Sequence, residues 1–182
     1  MESERLKQVL VLHVLWLNGK GGMKADLQNA DLRSANLRSA DLRSANLRGA
    51  DLRRANLRGA KLQDADLWRA NLRSADLRSA DLGGADLGSA NLQDANLRGA
   101  DLRGAKLGSA DLQNADLRGA DLDYACWSLS CKSLKVKIDE KIARQLLYHL
   151  LSVWPKYRLK SLVKEANKFH RVEECGKIEN KK

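Results

Sequence analysis

The sequence contains few of the residues on which a compact globular core is usually built. Only 4% of its 182 residues are aromatic, with one Phe and one Pro, although 43% are hydrophobic. A hydrophobic content dominated by Leu and Ala is typical of a repetitive architecture. The composition therefore argues against an ordinary globular domain.

Cysteines and long apolar runs are also scarce. The cysteines are Cys126, Cys131 and Cys175, an odd number without a secretory signal, which does not indicate a disulfide framework. The apolar run 9–17 is short, is interrupted by His13 and lacks a small-residue cleavage site. These features favour neither a signal peptide nor a membrane span. We therefore expect a reduced, cytoplasmic protein that does not insert into membranes.

Motifs for catalysis and for metal or cofactor binding are missing. The histidines, at positions 13, 149 and 170, have no Cys or acidic partner at motif spacing, and no Gly-rich phosphate loop occurs. Cys126 and Cys131 are five residues apart, which lacks the C-x-x-C spacing of a zinc site, and we interpret them as structural thiols. The sequence predicts no enzyme, no cofactor and no metal.

A five-residue repeat fills more than half of the chain. From Ala25 to Tyr124 there are 20 consecutive pentads of the form Ala-Asp/Asn-Leu-x-x, in which only Lys61 and Lys106 depart from Asp or Asn. A period of five fits neither a helix nor a strand. It suits a short extended step followed by a turn, with Ala and Leu inside and the other three positions outside. The last pentad residue varies widely and is compatible with mixed turns, so the sequence alone does not identify the turn type at each corner.

This motif resembles the pentapeptide-repeat family. The resemblance implies an all-β solenoid, a right-handed quadrilateral β-helix with four pentads per coil, and hence about five coils here. We expect three segments: 1–24 as an N-terminal capping helix with a Gly-rich linker, 25–135 as the β-helix, and 136–182 as a C-terminal helical cap with a basic tail. The family hosts unlike functions, so the resemblance does not identify a partner.

Residues twenty apart should stack on one side of such a coil, so the sequence can be read as columns. One outward column contains Arg in every coil: Arg38, Arg58, Arg78, Arg98 and Arg118. It is either a cationic strip that faces an anionic partner or a solvated column paired to nearby Asp. Trp68 is the large aromatic residue in an outward repeat position, and we consider it either a contact residue or an ordinary surface residue.

The two ends should close the solenoid, because a coil end exposes core Leu and unpaired backbone. Ser3 and Glu4 can start a helix whose apolar stripe is Leu6, Val9, Leu10, His13, Val14 and Leu17, with His13 as a packed residue. After a partial sixth coil, Asp139 can cap the first helix of a hairpin that is interrupted at Pro155. The residues expected to cap the solenoid or to form a homodimer are Ile142, Leu146, Leu150, Val153, Leu159, Leu162 and Phe169.

Charge is distributed unevenly. The formal net charge is +10, yet residues 25–124 hold 13 Arg, 2 Lys and 15 Asp and are neutral, whereas residues 125–182 hold 14 basic and 6 acidic residues. We therefore predict a non-catalytic binding or scaffold protein for an unidentified protein partner. Two alternatives are nucleic-acid binding through the basic tail and the Arg column, and mimicry of duplex DNA toward gyrase, which the resemblance implies. Mimicry would need a strongly acidic surface, and a neutral repeat does not favour it.

Overall fold

The computed structural model of the chain describes residues 3–126 and 136–143. These residues belong to one compact unit, Met1–Gln145, and the second unit, Leu146–Lys182, lies outside them. The expected helical hairpin, apart from its first turn, the homodimer contact and the basic tail therefore fall outside the described residues. So do Leu146, Leu150, Val153, Leu159, Leu162 and Phe169, together with Cys131 and Cys175.

The repeat forms a stack of coils joined by parallel bridges. Each bridge connects a residue to the one twenty positions later, as Asp26 does with Asn46, and this series continues coil by coil to Cys126. Four pentads therefore complete one coil, and five coils are stacked. The chain is a β-helix-like solenoid, as the repeat predicts. With a spacing of about 4.8 Å between neighbouring coils, about 19 Å separates the first coil from the fifth.

The interior of the stack consists of Leu and Ala. Every Leu of the repeat, from Leu27 to Leu122, is at most 2% exposed, and every Ala from Ala45 to Ala120 is equally buried. In the first coil, Ala30, Ala35 and Ala40 are only half-buried. The small Ala side chain leaves room for the Leu side chains in the narrow coil, so the two residue types fill the interior together.

All five amide groups of pentad 45–49 donate hydrogen bonds, so every backbone donor of this pentad is satisfied. The amide of Ala45 donates to the carbonyl oxygen of Leu42 at 3.0 Å, that of Asn46 to the carbonyl of Ala25 at 3.0 Å, and that of Leu47 to the carbonyl of Asp66 at 2.7 Å. The amide of Arg48 donates to the Oδ1 of Asn46 at 3.2 Å, and that of Gly49 donates to the carbonyl of Trp68 at 2.9 Å. Three of these bonds join neighbouring coils and one closes the turn. The remaining bond needs a side-chain acceptor two residues upstream, which explains why the second pentad position is Asp or Asn.

Restoring this acceptor where it is missing should stabilise the protein. Lys106 occupies the second pentad position, and an ammonium group has no acceptor to offer the amide of Gly108. We expect Lys106→Asn to raise the free energy of unfolding by about 1 kcal/mol, measured by urea denaturation. Lys106→Gln is the matched control, because it removes the same charge but its longer side chain does not fit the two-residue turn. An equal gain in both variants would contradict this explanation.

The turns at the corners are uniform, which settles the turn type that the sequence alone left open. The last residue of every pentad from Asn29 to Tyr124 has a positive φ, between 53° and 72°, and the residue before it does not. A positive φ at only the second central residue defines a type II turn. Because the amide of this last residue also bonds to the next coil, as Asn29 does to Arg48 at 2.8 Å, the ladder imposes one backbone conformation on different side chains.

Helix α1 spans Ser3–Leu17 and ends in a Schellman motif. The amide of Lys20 donates to the carbonyl of Leu15 at 2.9 Å and that of Gly19 donates to the carbonyl of Trp16 at 3.1 Å, with a φ of 66° at Gly19. On the buried side of the helix lie Leu6 and His13. Val14 was expected in the same stripe but is 40% exposed.

His13 connects α1 to the first coil. Its Nδ1 accepts a hydrogen bond from the amide of Ala25 at 3.0 Å, and its ring stacks on Trp16 with the centroids 5.6 Å apart. Burial lowers the pKa of the imidazole, because a charged ring would lose its hydration. A neutral ring is also the form that can accept from Ala25. His13 is therefore a packed residue of the cap, as predicted.

After the fifth coil the ladder continues with a one-residue shift. Asp116 bridges to Lys137, twenty-one positions later, so the ladder reaches beyond residue 135, where we expected it to end. Asp139 then caps residues 140–143: its Oδ1 accepts from the amide of Ile142 at 3.0 Å, which lowers the pKa of its carboxyl group. The Ile142 side chain is fully buried.

Candidate functional site: the Arg side of the solenoid

The four sides of the solenoid carry different charges. We name them A, B, C and D after their first pentads, 25–29, 30–34, 35–39 and 40–44, and each side recurs every twenty residues. Sides A and B are each neutral. Side C has five Arg and two Asp, a formal charge of +3, whereas side D has three basic and six acidic residues, a formal charge of −3. The neutral total of the repeat therefore hides a basic side.

The choice between Asp and Asn in the turn decides whether an Arg is neutralised. Wherever Asp precedes Arg by two residues, the guanidinium pairs with that carboxylate through its Nε and one terminal nitrogen, at 2.5–2.9 Å. Asn keeps the turn hydrogen bond but offers no charge. The Asp residues that form such pairs are Asp31, Asp41, Asp51, Asp76, Asp101 and Asp116.

Side C contains the fourth-position Arg residues that form no ion pair. Of the Arg residues that follow Asn, Arg48 and Arg73 reach carboxylates in other pentads at 3.5 Å. The other three are Arg38, Arg58 and Arg98, and within residues 3–126 and 136–143 none of them forms an ion pair. All three lie on side C and are exposed. The predicted strip thus divides into three unpaired and two paired guanidiniums.

The two paired members of the strip are held by ionised carboxylates. Arg78 pairs with Asp76, and Arg118 pairs with Asp116, each at 2.6 Å. The hydrogen bond from each Arg lowers the pKa of its Asp partner and raises the pKa of the guanidinium. These pairs stay charged around neutral pH, and each guanidinium keeps further N–H donors for a partner.

An open groove follows the Arg column. It is lined by Arg58, Arg78, Arg98 and Arg118, and by the small residues Ser79 and Gly99. The position after each Arg of side C is Ser or Gly in every coil. The guanidinium groups are therefore the most prominent groups along this edge, and a flat or convex anionic surface could approach them without steric hindrance.

Trp68 lies on side A, away from the Arg column, and is half-buried rather than exposed. The guanidinium carbons of Arg48 and Arg69 lie 4.5 and 4.0 Å from the centre of its ring. Gly88 makes room for it, since a Cβ at that position would lie 3.0 Å from the Trp68 side chain. These contacts fit a local packing role. Tyr124 on side D, 85% exposed, is an outward aromatic residue that the sequence analysis overlooked.

Residues 3–126 and 136–143 contain no cluster of His, Cys, Asp or Glu that could hold a metal ion. No helix among the described residues is long and apolar enough to cross a bilayer. The side chains that remain candidates for recognition are the guanidiniums of side C.

Comparison with known proteins identifies the repeat. The model of pentapeptide repeats matches in eight copies, over residues 23–59, 55–94 and 85–123. The chain belongs to the pentapeptide-repeat family. Among solved structures, the pentapeptide-repeat protein alr5209 from Nostoc Pcc 7120 is 34% identical over 72% of this chain and 96% of its own, with a TM-score of 0.42.

Two further structures have similar repeats. Rfr23, from the cyanobacterium Cyanothece 51142, is 34% identical over 57% of this chain and 63% of its own, with a TM-score of 0.33. QnrB1, a plasmid-mediated fluoroquinolone resistance protein, is 22% identical over 73% of each chain, with a TM-score of 0.36. This last identity is too low to suggest a shared function. No curated protein matches the sequence.

Proposed function

We propose that this pentapeptide-repeat protein is a non-catalytic binding module that holds an anionic partner on side C. One observation carries the proposal: among the Arg residues at the fourth pentad position, those without an ion pair are Arg38, Arg58 and Arg98, and they align on a single side. The other Arg residues of the described repeat without an ion pair, Arg54 on side B and Arg69 on side A, occupy the last pentad position. A rigid ladder spaces the three guanidiniums of side C at fixed distances, so their arrangement needs no ordering when a partner binds.

The turn chemistry supplies a test that leaves the fold intact. The variant N36D/N56D/N96D keeps every turn acceptor and gives each unpaired Arg the in-turn carboxylate that Arg78 already has. Side C then changes from +3 to a formal charge of zero. The matched control Q28E/S89D/S109D adds three acidic groups to side A, which lies opposite side C; Asp64 and Asp94 show that Asp is accepted at the positive φ of Ser89 and Ser109.

We expect immobilised wild-type protein and the side-A control to capture the same partners from a cell lysate at about 50 mM salt, where exposed charges are weakly screened. The side-C variant should lose them, because each guanidinium would then be occupied by its own carboxylate. Retained species are identified and quantified for all three proteins. Capture of the same species by all three proteins would exclude side C as the binding surface.

The alternative of DNA mimicry toward gyrase receives no comparable support. A mimic of duplex DNA presents dense negative charge, and here side D carries only −3 beside a side of +3. Binding of gyrase by the wild-type protein that survives in the side-C variant would nevertheless favour this alternative.

A further inference from the structure

The basic character of side C continues around the corner onto side B. In its first three coils side B has four Arg and two Asp, a formal charge of +2, whereas its last two coils carry −2. A second open groove runs between α1 and this part of side B. Its basic lining residues are Lys7, Arg33, Arg53, Arg54 and Arg73, and it extends to Asn36 on side C. On the α1 side it is also lined by Leu6 and Leu10.

The two grooves form parts of one surface, which we call the basic surface: side C together with pentads 30–34, 50–54 and 70–74. It holds nine Arg and four Asp, a formal charge of +5. The carboxylate that lines either groove is Asp31, which pairs with Arg33 at 2.6 Å. The surface is therefore basic over two adjacent sides rather than along one column.

The side chains of this surface distinguish between classes of partner. Protein interfaces usually have an apolar or aromatic centre and few charges there. Among the described residues the large exposed apolar side chains lie elsewhere, on α1, at Met23 and at Tyr124. A surface of Arg, Asn, Asp, Ser and Gly with a formal charge of +5 is instead typical of contacts with a nucleic-acid backbone, which are polar and strongly basic.

The lack of aromatic side chains also separates duplex from single-stranded nucleic acid. Proteins that bind single strands stack bases on aromatic residues, and the outward positions of the basic surface contain none. A duplex carries one negative charge for about every 1.7 Å of its axis, so a segment as long as the ~19 Å coil stack contains about eleven phosphates on its two strands, and part of them face the protein. Five net positive charges can neutralise part of that array without reading any base.

We infer that the anionic partner is the phosphate backbone of a double-stranded nucleic acid, bound without sequence preference across the corner between sides B and C. The inference rests on the proposed function of side C and specifies its partner. Arg is suited to this contact because its planar fork donates two parallel hydrogen bonds to a phosphate. The Arg residues of this surface that are paired with Asp add the N–H donors that their Asp partners do not engage.

The test uses the full-length protein and a fluorescein-labelled DNA duplex of about 20 base pairs, in two unrelated sequences, with affinity followed by anisotropy across a salt series. We expect both duplexes to bind equally. N36D/N56D/N96D should bind at least about tenfold more weakly at ~50 mM salt, and the slope of log K against log salt should fall by about 2–3, since each lost phosphate contact contributes about 0.9. Because the basic residues of 125–182 are unchanged in all variants, the difference reports on side C alone.

Side B is tested by a second variant, R54Q/R73Q, which should lower the slope by about 1–2 in the same assay. The side-A control Q28E/S89D/S109D should stay within about threefold of wild type, since its changes face away from the duplex. All variants are checked for unchanged unfolding midpoints.

Two outcomes would overturn the inference: no duplex binding by wild type at low salt, or equal binding by wild type and the side-C variant. If a protein is captured in a nuclease-treated lysate and is lost only from the side-C variant, the proposed function stands and the duplex inference fails. If neither capture nor duplex binding depends on side C, both fail.

Discussion

Replacing Gly22 by Ala is expected to lower the free energy of unfolding by roughly 2–4 kcal/mol, the cost of forcing extra atoms into a packed contact. A Cβ at this position would lie 2.1 Å from the carbonyl oxygen of Leu12 and 2.9 Å from the Cβ of Leu15. The nearest obstacle is helix backbone, which cannot rotate away as a side chain can. The φ of 81° adds a conformational penalty for any residue with a side chain.

Gly21 provides the control for this effect. Its φ is 83°, nearly that of Gly22, but a Cβ there would meet no atom within 4 Å. Gly21→Ala should therefore cost only the conformational penalty, about 1 kcal/mol. The difference between the two variants, from urea or thermal unfolding followed by circular dichroism, isolates the clash with α1. Equal losses of unfolding free energy in the two variants would show that α1 does not pack tightly against the chain at residue 22.

The importance of Gly22 follows from how the cap is joined to the first coil. The amide of Met23 donates to the Leu12 carbonyl at 3.1 Å, and two residues later the amide of Ala25 donates to His13. Both bonds require the chain to pass directly along α1. A shift at Gly22 would break them together and uncover the Leu side chains of the first coil. We therefore expect Gly22→Ala also to increase hydrogen exchange at residues 25–29.

The sequence predicted the coil because its repeat encodes every requirement of the ladder. A five-residue period, an inward Ala and Leu, and a turn acceptor at the second position leave few alternative ways of satisfying the backbone. Turn type could not be obtained from the variable last residue, because the hydrogen bond between coils, rather than that side chain, sets its φ. Val14 was misassigned because helical spacing alone does not show where the covered face of α1 ends.

The positive charge of side C can be read from the sequence once the repeat is divided into its four sides. The sequence shows that Asn precedes Arg38, Arg58 and Arg98 and that Asp precedes Arg78 and Arg118. Counting charge over the whole repeat gave zero and concealed the difference between sides. What the sequence did not show is that an in-turn Asp always captures its Arg, since this depends on the turn bringing both side chains to the same edge. Once that geometry is known, Asn in such a turn marks an Arg without a carboxylate in its own turn, and it is unpaired where no neighbouring pentad supplies one, as at Arg38, Arg58 and Arg98.

Among the interior positions, those in the middle coil should lose the most stability when a side chain is shortened. Leu72 lies in the third coil and is fully buried, with a complete coil on each side. We expect Leu72→Ala to cost about 2–5 kcal/mol, because the neighbouring coils are held by the ladder and cannot move in to fill the cavity. The measurement is the unfolding midpoint in guanidinium chloride, with the slope recorded to test whether unfolding stays cooperative.

Leu72→Met is the matched control, since it conserves volume and should cost less than about 1.5 kcal/mol. In a solenoid each repeat contacts only its neighbours, so stability is a sum of terms for individual repeats and their interfaces. A defect in the middle coil weakens two interfaces at once and should broaden the transition as well as shift it. A small cost for Leu72→Ala, close to that of Leu72→Met, would mean that the coils can collapse onto a cavity. The fixed spacing of the guanidiniums on side C would then lose its structural basis.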